Sequence, residues 1–145
     1  MKQWIIVCCI FIGSLCLTAP SGAGEIQVIN PWIPEPPPVA RMLAGYMILE
    51  NHSTAAVRRQ QVTGVDFARI EIHKTTMHGD MAHMQKQPEL VIEGGKRLVL
   101  EPGGYHLMLM QPKRTLQDGD RVALTLIFDN GEQVGVQAEV QRKKE

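Results

Sequence analysis

The sequence predicts an all-β domain, built as a β-sandwich or a barrel. Apolar residues recur mostly with period two, the repeat of a half-buried strand. No long stretch shows the period of an amphipathic helix. Turn residues break the pattern at short, regular intervals. Gly24 to Asn30 reads as a short first strand. Pro31 to Pro38 holds five prolines, which cannot donate to a sheet ladder, so an extended surface loop is expected there. Ala44 to Glu50, Val57 to Thr63 and Ala68 to Met77 are three further strands. Met81 to Gln87, Glu89 to Ile92 and Arg97 to Leu100 follow in quick succession. Pro102-Gly103-Gly104 makes a turn ahead of the alternating Tyr105 to Met110. Gln117-Asp118-Gly119-Asp120 turns the chain into Arg121 to Phe128, and Asp129-Asn130-Gly131 joins that strand to Gln133 to Val140 as a hairpin.

At 145 residues the chain is expected to be one domain. Residues 1–23 read as a cleaved secretory leader. Lys2 is the charge of its n-region, Trp4 to Leu17 is apolar and uncharged, and Ser21-Gly22-Ala23 supplies small residues ahead of a cut at Gly24. The apolar run is short for a membrane span. Leu15-Cys16 lacks the small residue expected before a lipidated cysteine, which disfavours a lipid anchor. Residues 24–141 form the domain, and 142–145 read as a charged, solvated tail. All three cysteines (Cys8, Cys9 and Cys16) fall in the leader, so the mature domain has neither thiol nor disulfide. It must fold on its apolar core, for which about 120 residues suffice. Without Lys2 the chain carries 14 basic and 15 acidic residues, about −1 in net charge. That balance gives no basic field for nucleic acid.

No enzymatic constellation is present. There is no G-x-S-x-G, no recognisable carboxylate pair and no phosphate-cradling glycine loop followed by lysine. Gly94-Gly95 and Gly103-Gly104 are turn pairs. The chemistry lies instead in His73, Met84, His106 and Met108. Thioether sulfur is soft and neutral and imidazole is borderline; together they suit Cu(I) and suit Mg(II) or Ca(II) badly.

Alternation shows how these four residues can pair. If Gly79-Asp80 is a two-residue hairpin turn, His78 pairs with Met81, Met77 with Ala82 and Thr75 with Met84. His73, Thr75 and Met77 then share a face with Ala82, Met84 and Lys86, while Ile70 and Ile72 face the core. His73 and Met84 become diagonal neighbours roughly 7–8 Å apart. His106 and Met108, at i and i+2, share a face on a later strand, with Leu107 and Leu109 pointing to the core. Periodicity alone does not bring the two pairs together.

The motif His73-x10-Met84-x21-His106-x-Met108 resembles that of the PCuAC-type periplasmic copper(I) chaperones. Ala44-Gly45-Tyr46, Glu71-Ile72-His73 and Pro102-Gly103-Gly104-Tyr105-His106-Leu107-Met108-Leu109-Met110 agree with it, so the resemblance covers nearly all of the mature chain. It implies a cupredoxin-like Greek-key β-sandwich that binds Cu(I) at a solvent-accessible site through His73, Met84, His106 and Met108. It also implies delivery toward the copper A centre of cytochrome c oxidase subunit II, alongside a Sco-type thiol protein. A periplasmic monomer that is not an enzyme and has no membrane insertion after cleavage is the expected form.

Other histidines and methionines have plainer uses. His78 and His83, with Met81, fall on the face opposite Met84; they read as exposed polar residues at a hairpin tip, with a weaker accessory Cu(II) site as the rival reading. His52 reads as loop, Met42 and Met47 as structural, and Met110 as packing against the donor face. Trp32 is expected to cover an end of the sandwich from the proline loop, and Tyr105 to pack with a polar tip. A blue-copper electron carrier needs a cysteine thiolate, which the mature chain lacks. A copper buffer without a recipient, or a structural sandwich with incidental His and Met, are the remaining rivals.

Overall fold

Strands form where the period-two pattern predicts them. The computed structural model describes residues 24–142; the expected leader and the last three residues of the expected tail lie outside the described residues. The strands are β1 (Ile26–Pro34), β2 (Met42–Asn51), β3 (Val57–Thr63), β4 (Phe67–His78), β5 (Met81–Lys86), β6 (Leu90–Ile92), β7 (Arg97–Leu100), β8 (Tyr105–Pro112), β9 (Arg121–Phe128) and β10 (Gln133–Gln141). They hydrogen-bond in the order β5-β4-β8-β7-β2-β1-β10-β9-β3-β6, with a further pairing of β8 to β2. The sheet folds back on itself: β3 packs near β4, and β2 near β6, without being ladder neighbours. Ile72, Leu107, Leu109, Leu49, Leu124, Leu126 and Phe128 are buried between the two halves. This is the all-β sandwich expected from the sequence.

β1 joins the halves, and here the proline reading needs correction. Ile26 to Ile29 pair antiparallel with β2, whereas Trp32 to Pro34 pair parallel with β10. The register shifts between Ile29 and Trp32, where Asn30 takes a positive φ of 48°. Pro31 falls within this irregularity, a position where a strand tolerates proline. Pro31 to Pro34 therefore continue the strand, and the loop begins only after Pro34. Ile33 is fully buried, and Trp32 packs on Tyr46 of β2 with ring centroids 4.9 Å apart.

Two local features set up the donor face. Gly79 has φ 62° while Asp80 does not enter the left-handed region, the pattern of a two-residue type II′ hairpin turn. It fixes the β4–β5 register at His78↔Met81, Met77↔Ala82 and Thr75↔Met84, as read from the sequence. In Ala44-Gly45-Tyr46, Ala44 lies opposite Met108 and Gly45 opposite Leu107. A Cβ on Gly45 would stand 3.4 Å from the Leu107 Cβ, in van der Waals contact with it.

Candidate metal centre

Strand alternation sends Ile72, Leu107 and Leu109 into the core and their neighbours to the opposite, donor face. On β4 this face carries Arg69, Glu71, His73, Thr75 and Met77; on β5 Ala82, Met84 and Lys86; on β8 His106, Met108 and Met110. The β4–β8 pairing brings the two halves of the motif together. His73 lies opposite His106, and Glu71 opposite Met108. The His73 and His106 ring centroids are 6.1 Å apart. With metal–nitrogen bonds of about 2.0 Å, two imidazoles on one ion have centroids roughly 4.5–6.4 Å apart, and the separation of these rings falls within that span. Met84 approaches from the other side of β4, diagonal to His73 as the hairpin register requires.

Hydrogen bonding assigns a role to each ring nitrogen. Nε2 of His73 donates to Glu71 Oε2 at 3.0 Å, which leaves Nδ1 as the lone-pair atom. That Nδ1 is buried and has no hydrogen-bond partner. Nδ1 of His106 donates to the Gly104 carbonyl at 3.1 Å, leaving Nε2 free. Both tautomers follow from the hydrogen-bond partners, and each is the state in which an imidazole accepts a metal. A buried lone pair without a partner is costly, and a soft cation would satisfy it.

Glu71 is the main residue that sequence reasoning missed. Its carboxylate also accepts from Lys86 Nζ at 2.7 Å and pairs with Arg69 Nε at 3.3 Å. The Lys86 ammonium first, then the His73 ring, hold the Glu71 carboxyl down at about 2. The signal was present in the sequence, because a residue two before His73 must share its face. Met110 also shares the face, but its sulfur is engaged by Nε and Nη2 of Arg69 at 3.3 and 3.2 Å. Among the described residues no group of three or more His, Cys, Asp or Glu converges on a metal position, so a centre here depends on thioether donors. A surface depression lined by Trp32, Tyr46 and Pro102 among others contains no imidazole or thioether.

Exposure grades across the donors. His106 is 4% exposed, whereas Met84, on the edge strand β5, is 54% exposed. Met108 is partly buried between Glu71 and Ala44 on the flanking strands. Met47 is buried, as expected of a structural methionine; Met42 is instead exposed and lies opposite Met110 at the end of β2. Alternation explains this difference: Met47 points inward and Met42 outward. His52 sits at the far end of β2 and bonds Gln27. Arg142, read as the start of a solvated tail, pairs with Glu35 at 2.8 Å.

Fold and register together define a β-sandwich that gathers His73, Met84, His106 and Met108 on one face near its edge. The sequence model of the family described as "Putative lipoprotein LpqE-like" matches residues 26–140, and the chain belongs to this family. A curated relative, "Putative lipoprotein Lxx21020" of Leifsonia xyli subsp. xyli, is 26% identical over 86% of this chain and 74% of its own length. "Uncharacterized protein RP573" of Rickettsia prowazekii is 30% identical over 67% of this chain, which spans about half (54%) of that protein. Among solved structures, the copper-bound PCuAC domain from PmoF2 superposes with a TM-score of 0.72 at 22% identity, covering 83% of this chain and 95% of that one. The Cu(I) form of DR1885 from Deinococcus radiodurans has a TM-score of 0.68 at 31% identity, covering 86% and 85%. The resemblance to PCuAC-type proteins read from the motif, and the cupredoxin-like fold it implied, are borne out.

Proposed function

We propose that this chain is an exported Cu(I)-binding metallochaperone, with His73, Met84, His106 and Met108 as its ligands. The juxtaposition of His73 and His106 carries the reading: the rings stand 6.1 Å apart, each with one nitrogen committed to a protein acceptor and the other free. Met84 and Met108 share their face. The Cu(I) form of DR1885 supports the choice of metal and oxidation state.

Copper is cargo here, and the donor gradient suits handover. Both imidazoles are held by the fold, His106 by the Gly104 carbonyl and His73 by Glu71. Met84 is the solvent-side donor on an edge strand with no outer neighbour among the described residues. It leaves first as an acceptor's ligand arrives, and Cu(I) then passes by stepwise exchange of one donor at a time. No electron or proton transfer is needed. The recipient is the copper A centre of cytochrome c oxidase subunit II, with a Sco-type thiol protein as co-worker, and the setting is the periplasm after cleavage of residues 1–23. The protein acts as a monomer and catalyses no reaction.

The test is anaerobic Cu(I) titration against a chromogenic chelator, followed by transfer to an apo copper A domain. One Cu(I) per chain is expected, with faster delivery to the apo domain than release to chelator alone. Binding without accelerated delivery would leave a copper buffer. No Cu(I) uptake in competition would reduce the chain to a structural sandwich.

A further inference from the structure

We propose that His78 and His83 form a second, open metal site on the other side of the β4–β5 hairpin, one that takes Cu(II) through two imidazoles. Their rings meet in a T-shaped arrangement with centroids 5.6 Å apart, within the roughly 4.5–6.4 Å expected for two rings on one ion with metal–nitrogen bonds of about 2.0 Å. The hairpin register creates this meeting. His78 pairs with Met81 and Thr76 with His83, so the two histidines are diagonal neighbours on one face. His52, His73 and His106 each have a ring hydrogen bond; among the described residues, His78 and His83 have none and their nitrogens are free.

The face carrying them points to solvent because β4 outruns its inner neighbour. Ile70 and Ile72 occupy this side of β4 where β8 pairs with it, and the pairing ends at Lys74↔Tyr105. Beyond that point the same side reads Lys74, Thr76, His78. Lys74 does not crowd the tip with charge, since its ammonium lies over the Tyr105 ring, 4.9 Å from the centroid. All of β5 is exposed. The overhanging ribbon therefore presents two solvent-facing sides, with Met77 and Met84 on one and His78, Met81 and His83 on the other.

Donor chemistry separates the two sides. Two imidazoles with positions left for water suit a divalent ion, and Cu(II) binds such nitrogen sites most tightly among first-row divalent metals. Met81, exposed on the same side, can add only a weak thioether contact. His83 and Met84 are adjacent in sequence and point to opposite sides, so one edge strand would serve oxidised copper on one face and reduced copper on the other.

The experiment uses protein purified from the exported fraction and loaded with one equivalent of Ag(I), a redox-inert stand-in for Cu(I). Cu(II) is then titrated and followed by electron paramagnetic resonance. One further Cu(II) per chain with nitrogen ligation is expected. His78→Ala/His83→Ala should weaken its binding at least about tenfold, with Ag(I) uptake and thermal unfolding unchanged. His52→Ala should leave Cu(II) binding as it was. Equal Cu(II) affinity in the double variant and the unaltered chain would overturn the proposal. So would loss of Cu(II) uptake after Ag(I) loading, or loss of Ag(I) uptake in the double variant, since either merges the two sites. A chain that takes no Ag(I) but still binds Cu(II) through these histidines would count against the copper(I) reading alone.

Discussion

Glu71 Oε2 accepts the Nε2 proton of His73 at 3.0 Å, and the bond leaves Nδ1 as a buried nitrogen without a partner. A carboxylate behind an imidazole fixes its tautomer and raises its strength as a donor, and removal of such a partner typically costs 10–100-fold in metal affinity. Glu71→Gln keeps an acceptor but loses the charge. It should weaken Cu(I) binding by about tenfold, with one Cu(I) per chain retained in a chelator competition. Glu71→Leu, which removes the acceptor altogether, should weaken binding more. Affinity unchanged in both variants would remove Glu71 from the site.

The same carboxylate makes the domain sensitive to acid. Glu71 is held at about 2, below its ordinary value of 4.5, by Lys86 first and His73 second. A depressed folded-state value means that its contribution is fully present above about pH 4.5. It is lost as the pH falls from there through about 2. The Tm of the metal-free protein should therefore decline over this window, and the Glu71→Gln protein should show a shallower decline. Parallel curves for the two proteins would contradict the assignment.

Met84 and Met108 should differ in kind. Met84 is more than half exposed on an edge strand, so solvent or a competing ligand readily takes its place. Met108 is partly buried between Ala44 and Glu71. Met84→Leu should lower Cu(I) affinity by about tenfold, or about 1.4 kcal/mol, and act mainly by speeding transfer to an acceptor. Met108→Leu should cost more in affinity at similar Tm. Stopped-flow transfer to a chelator, alongside equilibrium competition, reads both quantities.

The hairpin was legible in advance because a glycine-initiated two-residue turn fixes register, and register fixes which side chains share a face. Parity likewise placed His106 with Met108. The meeting of the pairs was not legible, because β4 and β8 are far apart in sequence and no local pattern encodes their partnership. Only the family resemblance supplied it. The prolines misled for a different reason. Pro31 lies where β1 changes partners and the register shifts, so the missing N–H breaks no regular ladder there. Met42 misled because it lies outside the predicted strand Ala44 to Glu50, so its apolar character alone set the expectation, whereas β2 begins at Met42 and alternation turns it outward.

Leu107 ties stability to the site directly. It is fully buried, it lies between His106 and Met108 in sequence, and it packs opposite both Ile72 on β4 and Gly45 on β2. Leu107→Ala removes buried methyl groups where the neighbours, held in ladders on both sides, can close the gap only in part. A loss of about 2–5 kcal/mol is expected, read by urea unfolding. The donors point to the opposite face, so the variant should still bind one Cu(I). Because metal binds the folded state, excess Cu(I) should restore part of the lost stability, by an amount that grows with the logarithm of free metal. A variant that unfolds at the same urea concentration with and without Cu(I) would separate β8 packing from the metal centre.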